Sequence, residues 1–275
     1  MKPILFNTDM VRAILEDRKT VTRRVVKDKD IINAWDCEDD GTPITYIDQA
    51  TGDSYPPTHP CPYHPGDILY VRETWRIWKA YRYDADAHIE FKAGGEGTVL
   101  QFPHGGTDSI NRTRYDDFIS KWGVGGKWHP SIHMPREAAR IFLRVTGVRV
   151  ERLQDSFFTP GATIFSCQKE GIDIGDQCRD CIDTYGCPCC IDENDGDDEK
   201  ACECGALDDV RSAFADLWNN CYAQPRPVKG ENGVIIHYES YPWEDIQETR
   251  TYKGKPWYVI GNPWVWVIEF ERSSR

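Results

Sequence analysis

No run in this chain approaches the ~20 consecutive apolar residues that a membrane-spanning helix requires. Its opening, MKPILFNTDM, lacks a basic stretch followed by an apolar one. The expectation is a soluble, cytoplasmic protein (host cytoplasm if phage-encoded) without a membrane segment or signal peptide. Positive charge is also scarce: 33 Lys and Arg stand against 45 Asp and Glu, a formal net charge of −12. That balance excludes a protein that holds long DNA or RNA by its whole surface, because phosphate neutralisation drives such binding. A locally basic site on an acidic body is still allowed, as is a small ligand. Internal repeats are lacking too.

What the chain does have is aromatic and turn-forming residues. Ten Trp, 13 Tyr and 10 Phe within a 40% apolar composition indicate a folded, globular protein. Seventeen Pro and 22 Gly spread along the chain predict many short elements joined by turns, which favours a β-rich α+β fold. A length of 275 residues allows one large domain or two small ones, each with a sizeable core.

Along the chain, residues 9–17 read as a short helix. Thr8 suits the N-cap, Asp9 the positive helix end, and Val11, Ile14 and Leu15 share a face. Extended structure should follow in KTVTRRVV. Residues 27–62 read as a loop or small insertion. In HPGDILYVRETW (64–75) a turn leads into a strand with Ile68, Tyr70 and Arg72 on one face and Leu69, Val71 and Glu73 on the other. Residues 80–127 are glycine-rich and read as irregular. Residues 139–153 form the clearest long strand, with Gly147 at a bulge or bend. Residues 208–222 form an amphipathic helix with Val210, Phe214, Leu217, Trp218 and Cys221 on one stripe. Two strands around Gly261-Asn262 close the chain. Together they predict a strongly bent sheet or small barrel carrying large insertions.

The segments MVRAILEDRKTVTRR, PGDILYVRETW, SIHMPREAARIFLRVTGVRVERLQD and NPWVWVIEF occur in the order seen in ASCH-domain proteins, and resemble the phage and prophage members in particular. The resemblance covers roughly a third to a half of the chain. It implies a PUA-like (ASCH) β-barrel with flanking helices, a single domain over 1–275 with insertions near 27–62, 80–127 and 159–206. It also implies an association with RNA or modified nucleosides. The family motif G-x-K-x-x-[E/T]-x-R falls on Asp17, Lys19, Thr22 and Arg24, with Asp17 replacing the glycine. Gly serves there as a helix C-cap with positive φ, which Asp tolerates less well. Some small members are amidohydrolases of N4-acetylcytidine. The resemblance implies Lys19 and Thr22 as catalytic residues, with Glu170 as the third and Glu151 as its rival.

Residue chemistry permits this reading. A Thr hydroxyl is a poor nucleophile until a base takes its proton, and Lys serves as that base only when burial or nearby positive charge disfavours its ammonium form. Arg18, Arg23 and Arg24 stand beside Lys19 in the chain. The alternative is a solvated basic turn after a helix. Lys19 and Thr22 have opposite parity on a regular strand, so they converge only if the chain turns near residue 19. VRETW offers Arg72 and Glu73 for a phosphate or base edge and Trp75 for stacking, or else an inward Arg–Glu pair and a core Trp. Ser131, His133 and Arg136 could complete a ligand pocket. The ligand set is thus Arg24, Arg72, Glu73, Trp75, Ser131, His133 and Arg136. The expected ligand is a nucleoside or single-stranded RNA or DNA. A non-catalytic RNA or modified-base module, or a phage accessory protein acting through protein contacts, are the alternatives.

Seven of the eleven cysteines fall between 178 and 204. Cys178 and Cys181, Cys187 and Cys190, and Cys202 and Cys204 form chelating pairs, spacing that fits one structural, four-thiolate zinc. Cys178, Cys181 and two of the later thiolates are the favoured set, and the choice among the later ones stays open. Disulfides and free thiols are the alternatives. The acidic run from Asp192 to Glu199 misses the EF-hand pattern, because Gly196 falls where an oxygen ligand is needed.

Overall fold

A computed structural model describes residues 1–26, 35–37, 43–47, 54–55, 61–102, 109–157, 160–172 and 206–273. From the N-terminus these form β1 (Lys2–Leu5), α1 (Thr8–Leu15) and β2 (Val21–Val25). Three short strands follow, β3 (Trp35–Cys37), β4 (Pro43–Ile47) and β5 (Ser54–Tyr55), then β6 (Ile68–Arg72), β7 (Trp75–Tyr81), β8 (Asp86–Phe91) and β9 (Thr98–Gln101). Next come α2 (Ser109–Trp122), β10 (Phe142–Arg152), α3 (Pro160–Lys169) and α4 (Ala206–Tyr222). The chain ends with β11 (Arg226–Lys229), β12 (Ile235–Ser240), β13 (Gln247–Tyr252), β14 (Lys255–Ile260) and β15 (Trp264–Ser273). The protein is a mixed α+β fold made mostly of strands. The strand order is linear in each sheet, and no closed barrel forms among the described residues. No described helix is long and apolar enough to cross a membrane.

The chain divides into two compact units, each built from separated segments. The first comprises residues 1–20, 63–146 and 270–275. In it β6 lies between β1, to which it runs parallel, and the antiparallel start of β10. The face of β6 predicted to carry Leu69, Val71 and Glu73 is the fully buried one. Residues 80–127, expected to be irregular, instead carry the end of β7, then β8, β9 and α2, and β7, β8 and β9 form an antiparallel meander. Its inner face buries Trp75, Ile77, Ala87, Ile89 and Phe91. Among the described glycines of that stretch, Gly94 and Gly95 follow β8 and take positive φ.

The N-cap of α1 is Asn7, not Thr8. The Asn7 side chain accepts a hydrogen bond from the Met10 amide at 2.8 Å, and Thr8 is the first helical residue. At the other end the Asp17 and Arg18 amides donate to the carbonyls of Ile14 (3.1 Å) and Ala13 (2.8 Å), a Schellman closure. It requires a left-handed residue at Asp17, which has φ +55°.

The second unit comprises residues 21–62 and 147–269. Here β15 pairs antiparallel with β2, matching Thr22 with Ile268 and Arg23 with Val267. α4 covers this region with the stripe read from the sequence: Val210, Phe214 and Trp218 are buried beside Phe157, Cys167 and Tyr241. Leu217 and Cys221 are only half-buried. A further sheet, β11-β12-β14-β13, follows α4. Its β13–β14 hairpin turns through Lys253 and Gly254, both at positive φ, the geometry that matches strand twist. The insertion expected at 27–62 carries the small antiparallel sheet β3-β4-β5.

Candidate functional site

The site begins in the alternation of β2, Val-Thr-Arg-Arg-Val. Val21, Arg23 and Val25 share parity, and both valines belong to the core cluster with Phe157 and Phe214. A charge in that position must find partners inside the protein. The Arg23 guanidinium lies 5.4 Å from the Phe157 ring centroid and 5.7 Å from that of Phe214. Its Nη1 donates to Glu170 Oε1 at 2.8 Å, and its Nε and Nη2 donate to Glu151 Oε1 at 3.4 and 3.3 Å. The Arg23 and Glu170 side chains are only 3% and 4% exposed. The network extends outward: Arg149 donates to Glu151 Oε2 at 3.2 Å and to Glu269 Oε1 at 2.6 Å.

The two carboxylates that competed for the third catalytic role therefore converge on one guanidinium. Neither was expected to meet Arg23, and the sequence reading gave Arg23 no role beyond its charge. The detectable signal was an arginine between two core-facing valines. Cys167 is buried in the same cluster, and burial pushes its thiol up to about 12, which leaves it unreactive at neutral pH. On the opposite parity, Thr22 is 1% exposed, while Arg24 is half-buried and donates to the Arg23 carbonyl at 3.3 Å.

Lys19 belongs to the first unit and is 2% exposed, its ammonium 5.8 Å from the Phe6 ring centroid. The chain does turn just before it, as a Lys–Thr pair would need: the Lys19 amide still donates to Ala13 at the helix end. Of the two conditions for a lysine base, burial is met. Of its positive chain neighbours, Arg18 is engaged with Glu16 at 2.5 Å and Arg23 with its two carboxylates.

The remaining predicted ligand residues lie in the first unit. Glu73 is buried and accepts both Nε (2.9 Å) and Nη2 (2.8 Å) of Arg140, whose Nη1 also donates to the Glu96 carbonyl. Burial raises the Glu73 carboxyl above its ordinary value, outweighing the opposing pull of Arg140. Trp75 is fully buried, ringed by Phe118, Trp122 and His129 with centroids 5.1–6.1 Å away. No ring face is open for a base, so VRETW takes its inward-acid, core-tryptophan alternative. The partner of the acid is Arg140, which the sequence reading missed, and not Arg72. Arg72 instead ties the Met134 carbonyl at 3.0 Å. Ser131, His133 and Arg136 lie on two successive 3-10 turns, half-buried or exposed, and no hydrogen bond joins Ser131 to His133 among the described residues.

Cys178, Cys181, Cys187, Cys190, Cys202 and Cys204 lie outside the described residues. Among those described, no group of three or more His, Cys, Asp or Glu is arranged to hold a metal. Compared with protein-family models, curated proteins and solved structures, the chain matches none.

Proposed function

We propose that the chain is an ASCH-type, PUA-like protein that binds a nucleoside or single-stranded nucleic acid through segment 17–24. In this reading it hydrolyses the N4-acyl amide of a cytosine nucleoside. The observation that carries the proposal is Asp17 at φ +55°. The resemblance falters in sequence at this residue, where the motif has glycine, yet the backbone there adopts the conformation that favours glycine. The departure is thus one of residue type and not of local geometry.

The chemistry follows from the residue types. Thr22 Oγ attacks the acyl carbonyl as Lys19 accepts the hydroxyl proton. The C–N bond then breaks, the proton passes to the departing N4 amine, and water releases the acyl group from Thr22. Glu170 acts as a positioning residue, because its carboxylate is engaged by Arg23, the chain neighbour of Thr22. A structural zinc held by four of the thiolates between Cys178 and Cys204 completes the proposal.

Incubation with N4-acetylcytidine tests this reading: wild type releases cytidine, and Lys19→Ala and Thr22→Val do not. A second reading, binding without turnover, is favoured by the near-complete closure of Lys19 and Thr22 to solvent, at 2% and 1%. It predicts saturable nucleoside binding with no product from any variant.

A further inference from the structure

The outer face of the β7–β8–β9 meander lies in the first unit and has no part in the proposed hydrolysis. β7 carries a bulge: Ile77 pairs with Ile89 and Lys79 with His88, so Trp78 is the extra residue. In a regular strand, side chains alternate, and with Ile77 inward Lys79 and Tyr81 would also point inward. The bulge reverses that parity, and Trp78, Lys79 and Tyr81 are all exposed, Trp78 by 49% and Tyr81 by 38%.

The result is a strip of aromatic rings interleaved with cations. His88 meets Trp78 and Tyr81 edge-on, at centroid distances of 5.8 and 5.4 Å. The Lys79 ammonium lies 5.8 Å from the Trp78 centroid and 4.6 Å from that of Tyr81, and it makes no ion pair among the described residues. Arg76 stacks on Trp128 at 4.5 Å. Of the nearby carboxylates, Glu90 is engaged by Arg76 at 2.8 Å, while Asp86 Oδ1 lies 3.6 Å from His88 and accepts no hydrogen bond among the described residues. Beside Trp78 opens a cleft of about 590 Å³, lined also by Arg76 and Glu90. That is within the range of roughly 300–1,000 Å³ typical of small-ligand sites.

We infer that this face is a stacking platform for single-stranded nucleic acid, with one base on Trp78, a second on Tyr81 and the intervening phosphate at Lys79. Half-exposed rings alternating with cations suit a chain of planar bases and negative linkages. A protein partner would call for a broader apolar surface, and the aliphatic contribution here is small, chiefly Val99. The inference stands apart from the proposed hydrolase, since none of its residues lies in segment 17–24.

Fluorescence anisotropy with short labelled oligothymidylate and oligouridylate tests it on the full chain. Wild type should bind both saturably at low salt and more weakly as salt rises. Trp78→Ala should weaken binding roughly 5- to 150-fold, the span expected for loss of one stacked base. Trp78→Phe should recover part of the loss. Lys79→Ala should flatten the salt dependence, lowering its log–log slope by about 0.7. Trp78 is surface-exposed, and circular dichroism checks that the variants fold. Trp78→Ala should leave any nucleoside turnover intact, so the platform and the proposed hydrolase fail separately. Absence of saturable binding, equal competition by duplex DNA, or unchanged affinity in Trp78→Ala would overturn the platform.

Discussion

Arg23 and Glu170, 147 residues apart in sequence, meet at 2.8 Å with both side chains almost closed to water. The pair holds the end of α3 to β2. Desolvating two charges is costly, and their attraction recovers that cost only with good geometry and further partners. Arg23 has such partners in Glu151 and the rings of Phe157 and Phe214.

The asymmetry of this network makes a prediction. Arg23→Met removes the guanidinium from both the Glu170 and the Glu151 carboxylates, whereas Glu170→Gln leaves Arg23 still paired with Glu151. Arg23→Met should therefore be the more damaging, by about 3–5 kcal/mol of unfolding free energy, the cost typical of breaking a buried pair. The double variant Arg23→Met/Glu170→Leu should recover part of that loss. Urea denaturation of the three variants measures the order, and a larger loss in Glu170→Gln would contradict it.

Glu73 makes a prediction in pH. Burial raises its carboxyl above the ordinary value of 4.5 despite the bidentate Arg140. The folded state therefore holds this proton more tightly than the unfolded chain does. Its contribution to stability is full below about 4.5 and is lost as pH rises through the folded value. Comparison with Glu73→Gln cancels the groups the two proteins share. The stability of wild type relative to Glu73→Gln should fall as pH is raised from 4.5, and then level off. A relative stability that rises over that window would contradict the assignment.

Asp17 makes a third. A non-glycine residue in the left-handed region is strained, and the Arg272 contact at 3.1 Å is too exposed to compensate much. Asp17→Gly should raise stability by about 0.5–1 kcal/mol, and Asp17→Ala should lower it. Thermal or urea unfolding checks the sign, and equal destabilisation by both would show that the closure of α1 does not depend on φ.

The same residue shows how much of the fold could be read in advance. The glycine-requiring position was indicated by the resemblance, whose motif has glycine there, and the short apolar-periodic helix before it placed that position at a helix end. The strand at 142–152 and the stripe of α4 were legible because their periods of 2 and 3.6 are sustained. The β7–β8–β9 meander was not, because its turn glycines outweighed short inner-face runs such as Ala87, Ile89 and Phe91. The sheet β11-β12-β14-β13 was largely missed, since strands such as Arg226–Lys229 and Gln247–Tyr252 expose most of their side chains and carry little apolar alternation. At the candidate site, Lys19 and Thr22 came from the resemblance alone. The roles of Arg23 and Arg140 depend on partners distant in sequence, which local pattern does not reveal.

The cysteine spacing between 178 and 204 makes a prediction of its own. Metal analysis of the purified chain should give about one zinc per molecule, and chelation should lower its unfolding temperature. Folded protein free of metal would refute the zinc.

The central claim is that segment 17–24 performs nucleoside chemistry. Its most direct test is turnover of N4-acetylcytidine, followed by chromatography of released cytidine. The account predicts product from wild type, and none above background from Lys19→Ala or Thr22→Val that remain folded. No product from wild type at high enzyme concentration, or undiminished product from both variants, would contradict it.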